Sequence, residues 1–280
     1  MAFGVLKIIK NVNITQSKSK IEQGGFMKTL AIDTSTQSLS VALRDGDKVV
    51  AETTTNTKIR HSTQLLPLIN QMFQVIGWTA NDLEGIVVTA GPGSYTGLRI
   101  GVTAAKTMAN TLSIPLYTVP TLQALAGNVQ TFEAPALVLP FIDARRQTAF
   151  ATLYQKEGNT FKQLFTTSHG KFATFLDQVK AHIAADASLQ AQPLYFISPD
   201  VDQFAEAITA VFGENDKARI LPSELGLIHA SHLGALPVEQ VDVDTFIPYY
   251  AKLAEAEENW LAQNPEEARL DEGKYVERTD

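Results

Sequence analysis

Gly91-Pro92-Gly93-Ser94-Tyr95-Thr96-Gly97-Leu98-Arg99-Ile100-Gly101 joins two stretches of different pattern. Ahead of it, Ile86-Val87-Val88 reads as a short buried strand. Behind it, Val102 to Leu112 is rich in Ala and carries Lys106 and Met108, which reads as a helix. The run is therefore a strand-to-helix turn. Gly91 and Gly93 permit backbone angles that other residues resist, and Pro92 stiffens the chain between them. Ser94 or Thr96 supplies an oxygen to cap the helix. Helix starts attract phosphate, but the details point away from a phosphate cradle. A P-loop needs a Lys that is missing here. The G-x-G-x-x-x-G spacing is one residue longer than the dinucleotide fingerprint. Gly97, Gly101, Ala105 and Ala109 also recur every fourth residue, a stripe of small side chains along the helix. Such a stripe admits another backbone, either the helix's own sheet or a partner helix. Arg99 and Lys106 rule out a membrane span.

The surrounding composition narrows the class. The 280 residues suffice for one large domain or two small ones, and 45% hydrophobic content supports a substantial core. Without cysteine there is no disulfide framework or thiol chemistry, which fits a reducing, cytoplasmic location. A net charge of −7 argues against autonomous nucleic-acid binding. No apolar run approaches the ~20 residues of a membrane span. Residues 1–26 mix Lys, Ser, Gln and Asn without sustained periodicity, and Lys7 and Lys10 interrupt anything resembling a signal peptide. A good strand begins abruptly at Met27, so 1–26 are expected to be a non-native or disordered extension, with Met27 as the natural start.

In chain order, Leu30 to Ile32 forms a strand ending at Asp33-Thr34-Ser35-Thr36. Leu39, Val41 and Leu43 alternate as in a half-buried strand. Asp45-Gly46-Asp47 turns into a third strand over Val49 to Thr55. Leu65, Leu66, Ile69, Met72, Phe73 and Ile76 mark an amphipathic helix, capped at Ser62 and stopped at Gly77, with a kink or late start at Pro67. Leu116 to Val119 adds a strand, and Leu122 to Ala126 a short helix. Laid without gaps, Ile32 to Leu43 and Ile142 to Leu153 share Ile, Asp, Gln and the final Leu. The second stretch leads into a strand over Thr160 to Thr166, a helix through Phe172, Phe175, Leu176 and Val179, a strand at Leu194 to Ile197 and a helix at Val201 to Phe212. The β-β-β-α-β-α order occurs twice, which reads as duplication. The expected division is a first lobe over 27–130, a second over 131–247, and a C-terminal helix and acidic tail over 248–280. Within these, Arg219 to Leu221 reads as a further strand, and Ile228 to Leu236 and Lys252 to Gln263 as helices.

Two such lobes, each with an Asp ending its first strand, describe the α/β actin-like/sugar-kinase/Hsp70 ATPase architecture, built on ribonuclease H-like units. LAIDTST, HSTQLLPLI, GPGSYTGLRIG and IDARR together resemble the TsaB (YeaZ) family, from Met27 to about Glu257. The resemblance implies a non-catalytic subunit of the complex that attaches threonylcarbamoyl to the adenosine beside the tRNA anticodon. It implies a TsaD-type catalytic paralogue and a TsaE-type ATPase as partners, a homodimer in isolation, and tRNA contact only through the complex. It implies no tightly bound cofactor, any ATP or ADP belonging to the complex interface. Family members pair through the first two helices of the N-terminal lobe. Carried over, the interface comprises His61, Ser62, Leu65, Leu66, Ile69, Met72 and Phe73, with Tyr95, Thr96, Gly97, Leu98, Gly101, Ala104, Ala105 and Met108. On this basis the small-residue stripe admits the partner, and Gly101→Leu or Gly101→Arg is expected to abolish dimerisation without unfolding the chain. The sequence departs from the family at Thr148, where an acidic residue is usual, and at Lys252, which stands for Arg.

Chemistry of its own remains to be weighed. An ATP-dependent small-molecule kinase or ATPase of this architecture holds phosphate with glycine-bearing turns after each first strand. Asp33-Thr34-Ser35-Thr36 and Asp143-Ala144-Arg145-Arg146 have none. Asp33, Thr34, Ser35 and Asp143 are the weak candidates for nucleotide or metal, and capping of turns is the preferred reading of both Asp residues. A metal-dependent peptidase needs clustered ligands. The paralogue's H-x-x-x-H pair has no counterpart within Thr121 to Gln130, and His229 and His232 lack nearby carboxylates in the sequence. Arg145 and Arg146 are read as a salt-bridged or solvated pair rather than a tRNA contact.

Overall fold

The structure is a computed structural model that describes residues 27–56, 60–129, 132, 134–158, 160–213 and 215–250. The readings made above for 1–26 and for the helix and tail beyond 250 lie outside the described residues.

β1 (Lys28–Asp33), β2 (Leu39–Asp45) and β3 (Lys48–Thr55) form an antiparallel ribbon. β4 (Gly85–Thr89) and β5 (Leu116–Val119) extend it in parallel from β1. α1 (His61–Ile76) connects β3 to β4, and α2 (Tyr95–Leu112) connects β4 to β5. After α3 (Thr121–Ala126), the order recurs with β6 (Ala136–Asp143), β7 (Thr148–Ala151) and β10 (Ser168–Lys171) antiparallel. β11 (Leu194–Ile197) and β12 (Ala218–Ile220) are added in parallel. α4 (Phe172–Ala184) and α6 (Val201–Phe212) are the connecting helices, with the short α5 (Ala187–Gln190) between α4 and β11. Both sheets thus run third, second, first, fourth, fifth. This is the duplicated, actin-like architecture anticipated from the element order.

Three differences have physical reasons. First, Thr160 to Thr166 is not the third strand of the second lobe. β8 (Tyr154–Glu157) and β9 (Thr160–Gln163) form an inserted hairpin, and β10 takes the edge position beside β7. Second, β2 is buried on both faces rather than one. α1 covers one face through Leu65, Ile69, Met72 and Phe73. α7 (Ala230–Leu233) covers the other, where Ala42 and Leu233 share a core cluster and the Ala230 N–H donates to Ser40 Oγ at 2.8 Å. Third, the chain does not stay in the second lobe to residue 247. β13 (Glu239–Val241) pairs with β5 at the edge of the first sheet.

Local signals decide the helix ends. Ser94 Oγ accepts from the Gly97 N–H and caps α2, as read from the sequence. Gly77 ends α1 at φ 73. Ser62 does not cap α1, because the helix begins one residue earlier with Arg60 in the cap position. Pro67 lies inside α1 on its exposed side, and the helix runs through it. The second lobe is an aromatic core, with the Phe141 and Phe172 rings 4.5 Å apart and Phe204 edge-on to both. Each buried ring or aliphatic chain there contributes about 1.5–3 kcal/mol relative to exposure.

Candidate functional site

Two regions carry the residues of interest: the end of β1 with the turn into α2, and the outward faces of α1 and α2. At the first, Asp33 is fully buried. Its Oδ1 accepts from Ser35 Oγ at 2.6 Å, Thr89 Oγ1 at 2.7 Å and the Ser35 N–H at 3.2 Å. Burial pushes its carboxyl above the usual range, and the Ser35 and Thr89 hydrogen bonds oppose that rise. Thr34 Oγ1 donates to the Gly97 carbonyl at 2.8 Å. In the second lobe, Asp143 Oδ1 likewise accepts from the N–H two residues on, that of Arg145, at 2.8 Å. A cavity of about 360 Å³ lies between Ala90, Gly91, Pro92 and Gln123 on one side and Tyr154, Phe161 and Gln163 on the other. Among the described residues no charged side chain lines it, and neither Asp33 nor Asp143 reaches it. Among the described residues, no group of three or more His, Asp or Glu side chains is arranged to hold a metal.

The small-residue stripe faces inward. A Cβ on Gly97 would lie 2.1 Å from the Thr34 carbonyl oxygen, and one on Gly101 would lie 2.2 Å from Thr34 Oγ1. Ala105 and Ala109 are buried in the core with Leu30 and Ile32. The stripe lets α2 lie against the end of its own β1, so it is not a surface for a partner. The expectation that Gly101→Leu spares the monomer is corrected accordingly. Leu65, Ile69, Met72, Phe73 and Leu98 are likewise committed to the chain's own core, because their positions make the inward stripes of α1 and α2. Of the residues carried over as an interface, Ser62, Leu66, Tyr95 and Thr96 are exposed, and His61, Ala104 and Met108 are half-buried. His61 Nε2 donates to the Ser38 carbonyl at 3.1 Å and ties the start of α1 to the loop after β1. The Tyr95 ring lies 4.7 Å from that of Tyr250, so the chain's own C-terminal strap covers part of it.

That strap was not legible as a packing element. Residues 242–250 cross α2, where Lys106 Nζ donates to the Phe246 carbonyl at 2.7 Å. The Tyr249 N–H donates to Ala90 O at 2.8 Å. Gly91, at φ 108, has no side chain because the Tyr249 carbonyl oxygen lies where a Cβ would be, 2.1 Å away. Val75 was also missed; it is 78% exposed, more than Leu66 at 57%. Nine residues make two and a half helical turns, so these two mark opposite flanks of α1.

A third cluster corrects the reading of His229 and His232. A carboxylate does lie beside them: Glu52 Oε1 is 3.5 Å from His229 Nδ1 and accepts from the Ser231 N–H at 3.1 Å. Burial pushes Glu52 up, but the hydrogen bonds from His229 and Ser231 outweigh it and hold the carboxyl at about 2. The Glu52 hydrogen bond raises His229, whereas burial and the neighbouring His229 lower His232. Arg44 Nη1 donates to the Ser231 carbonyl, completing a clasp between α7 and the β2–β3 ribbon. The depressed Glu52 contributes stability above its unfolded value of 4.5 and loses it as pH falls toward 2. The raised His229 contributes fully below 6.5 and loses its share as pH rises through its folded value. The difference in melting temperature between wild type and Glu52→Gln should therefore be largest between these limits and shrink on both sides. A Glu52→Gln profile parallel to wild type would contradict the clasp.

The family model described as "TsaD: tRNA N6-adenosine threonylcarbamoyltransferase" matches residues 48–260. The chain is 34% identical over 241 residues to the tRNA threonylcarbamoyladenosine biosynthesis protein TsaB of Bacillus subtilis, covering 84% of this chain and 98% of that protein. It is 32% identical over 133 residues to the Escherichia coli TsaB, covering 48% of this chain and 57% of that protein. A solved Pseudomonas aeruginosa structure, described as an uncharacterized protein with similarity to peptidase YEAZ, superposes with a TM-score of 0.64 at 21% identity. The superposition covers 81% of this chain and all of that one.

Proposed function

This chain belongs to the TsaB family of tRNA threonylcarbamoyladenosine biosynthesis proteins, and from that we propose that it acts as a non-catalytic subunit which binds and activates a TsaD-type partner. The proposed surface is the outward face of α1 and α2, used for the TsaD-type paralogue in the complex and for a second copy of the chain in isolation. One observation carries the reading. The 16 residues of α1 and the 18 of α2 contain no Asp or Glu, although acidic residues number 30 in the chain. Depletion of Asp and Glu, with Arg retained, is the composition of protein interface centres. The exposed side chains offered there include the hydroxyls, amide and apolar group of Ser62, Thr96, Thr103, Gln71 and Leu66, together with Tyr95 and the cation Arg99.

We read the end of β1 as closed to a nucleotide phosphate. The space beside Thr34 is taken by α2 at Gly97 and Gly101, and Asp33 Oδ1 is bonded to Ser35 and Thr89, while its Oδ2 is buried without a hydrogen-bond partner among the described residues. Any ATP or ADP is assigned to the shared interface, a TsaE-type ATPase to the wider complex, and the location to the cytoplasm.

The test places a carboxylate on the carboxylate-free face. Leu66→Glu and Thr96→Glu sit at exposed positions, and Thr96 lies in the first turn of α2, where a negative charge suits the helix dipole. Each should leave the melting temperature nearly unchanged and weaken binding to the TsaD-type partner about tenfold or more, ~1.4 kcal/mol. Full-strength binding by both variants would assign the interface elsewhere. Tight ATP binding by the isolated chain would favour a kinase or ATPase instead.

A further inference from the structure

The turn between β6 and β7 holds three consecutive non-glycine residues in left-handed conformation: Arg145 at φ 70, Arg146 at φ 53 and Gln147 at φ 60. Ordinary side chains disfavour this region, and glycine occupies it freely. The backbone is fixed there by several bonds. The Ala144 N–H donates to the Thr148 carbonyl at 3.0 Å, the Thr148 N–H to the Arg145 carbonyl at 2.9 Å, and the Phe172 N–H to the Gln147 carbonyl at 3.1 Å. Strain held in place by its surroundings is a pointer to function. What the turn presents is charge, because Arg145, Arg146 and Gln147 are all exposed. Lys171, also exposed, lies across the ladder from Thr148 and adds a third cation.

Of the two states anticipated for the arginine pair, salt-bridged or solvated, Arg145 is in the second: it is exposed, and among the described residues no carboxylate pairs with its guanidinium. Two acids shape the base of the turn through its backbone. Asp143 accepts from the Arg145 backbone N–H, and half-buried Asp200 accepts from the Asp143 N–H at 3.0 Å. No large hydrophobic side chain is exposed at the tip. Among the described residues the exposed ones are Val49, Leu66, Val75, Tyr95, Ile220, Leu225, Ile247 and Tyr249. Protein interfaces also use arginine but set it beside aromatic anchors, and none is exposed at this tip; a phosphate backbone needs only cations and polar groups.

We propose that the Arg145-Arg146-Gln147 turn, with Lys171 beside it, contacts the phosphate backbone of RNA when the chain is in its complex. The proposal rests on the reading that the chain serves tRNA modification. Because the chain is acidic overall, this contact adds to a basic surface supplied by the partner and does not bind RNA by itself.

The experiment uses the full chain assembled with its TsaD-type partner and unmodified tRNA as the probe, with affinity measured from 50 to 200 mM salt. R145A/R146A should weaken binding about tenfold at the lower salt and make the slope of log affinity against log salt shallower by about 2. R145K/R146K should restore most of the slope. R145G/R146G removes the charges and relaxes the backbone, so it should melt higher than wild type yet bind tRNA no better than the alanine pair. Unchanged affinity and slope in R145A/R146A, with a wild-type complex that binds tRNA, would overturn the RNA contact alone. Loss of partner binding by the same variant would make the turn a protein contact and overturn it as well. If the wild-type complex binds no tRNA, the modification reading falls first and the contact falls with it.

Discussion

Replacing Gly97 by valine should lower the stability of the isolated chain by about 3 kcal/mol, with the urea midpoint falling at nearly constant slope. The cost arises within the monomer. A Cβ at Gly97 would meet the Thr34 carbonyl oxygen at 2.1 Å, backbone against backbone, and no rotamer relieves that contact. Either α2 must retreat from β1 or the loop after Asp33 must shift. Both movements disturb the Thr34 Oγ1 bond to the Gly97 carbonyl and the Asp33 network behind it. Gly101→Ala should cost less, about 1–2 kcal/mol. Its Cβ meets the Thr34 hydroxyl at 2.2 Å, and a side chain can turn away at the expense of one hydrogen bond. Denaturation at concentrations where the chain is monomeric separates this from a docking role. If the stripe received a partner, the Gly97→Val monomer would unfold at the wild-type midpoint and fail only to associate.

Asp33→Ala should destabilise the chain by about 2 kcal/mol. The substitution leaves the Ser35 and Thr89 hydroxyls and the Ser35 N–H without their acceptor in a site closed to water. Asp33→Asn keeps an acceptor oxygen and should cost less. The pH dependence has a definite sign. Burial raises the Asp33 carboxyl above its ordinary 3.8, so native stability loses a contribution as pH rises from 3.8 through the folded value. Asp33→Asn lacks that slope, and its deficit relative to wild type should shrink over the same range. Chemical denaturation of both proteins from pH 3.5 upward checks this. A nucleotide or metal role predicts a different outcome: Asp33→Asn as stable as wild type at every pH, with loss of ligand binding.

Much of the fold was legible because periodicity and turn chemistry are local. The strand before Gly91, the Ser94 cap, the Gly77 stop and the repeated element order all follow from residues within one or two turns of each other. The errors came where a partner distant in sequence decides. The spacing of Gly97, Gly101, Ala105 and Ala109 says that something approaches closely, but it is silent on which backbone does so. β8 and β9 are four residues each and pair with one another, and only that pairing separates an inserted hairpin from the ladder's own edge strand. β13 is three residues long, and only its pairing with β5 identifies it. The Glu52 carboxylate beside His229 had no sequence signal, since β3 and α7 meet only in the folded chain. The site was legible as a pair of helices. Which residues remained outside was not, because the spacing of apolar residues gives the inward stripe and leaves the working face as its remainder.

The most direct test of the account measures threonylcarbamoyl transfer to tRNA by a purified TsaD-type partner, with its ATPase present, when this chain is omitted, supplied as wild type, or supplied as Leu66→Glu/Thr96→Glu. The account predicts transfer with the wild-type chain, and little transfer without it or with the folded surface variant. Equal transfer in all three reactions would contradict it.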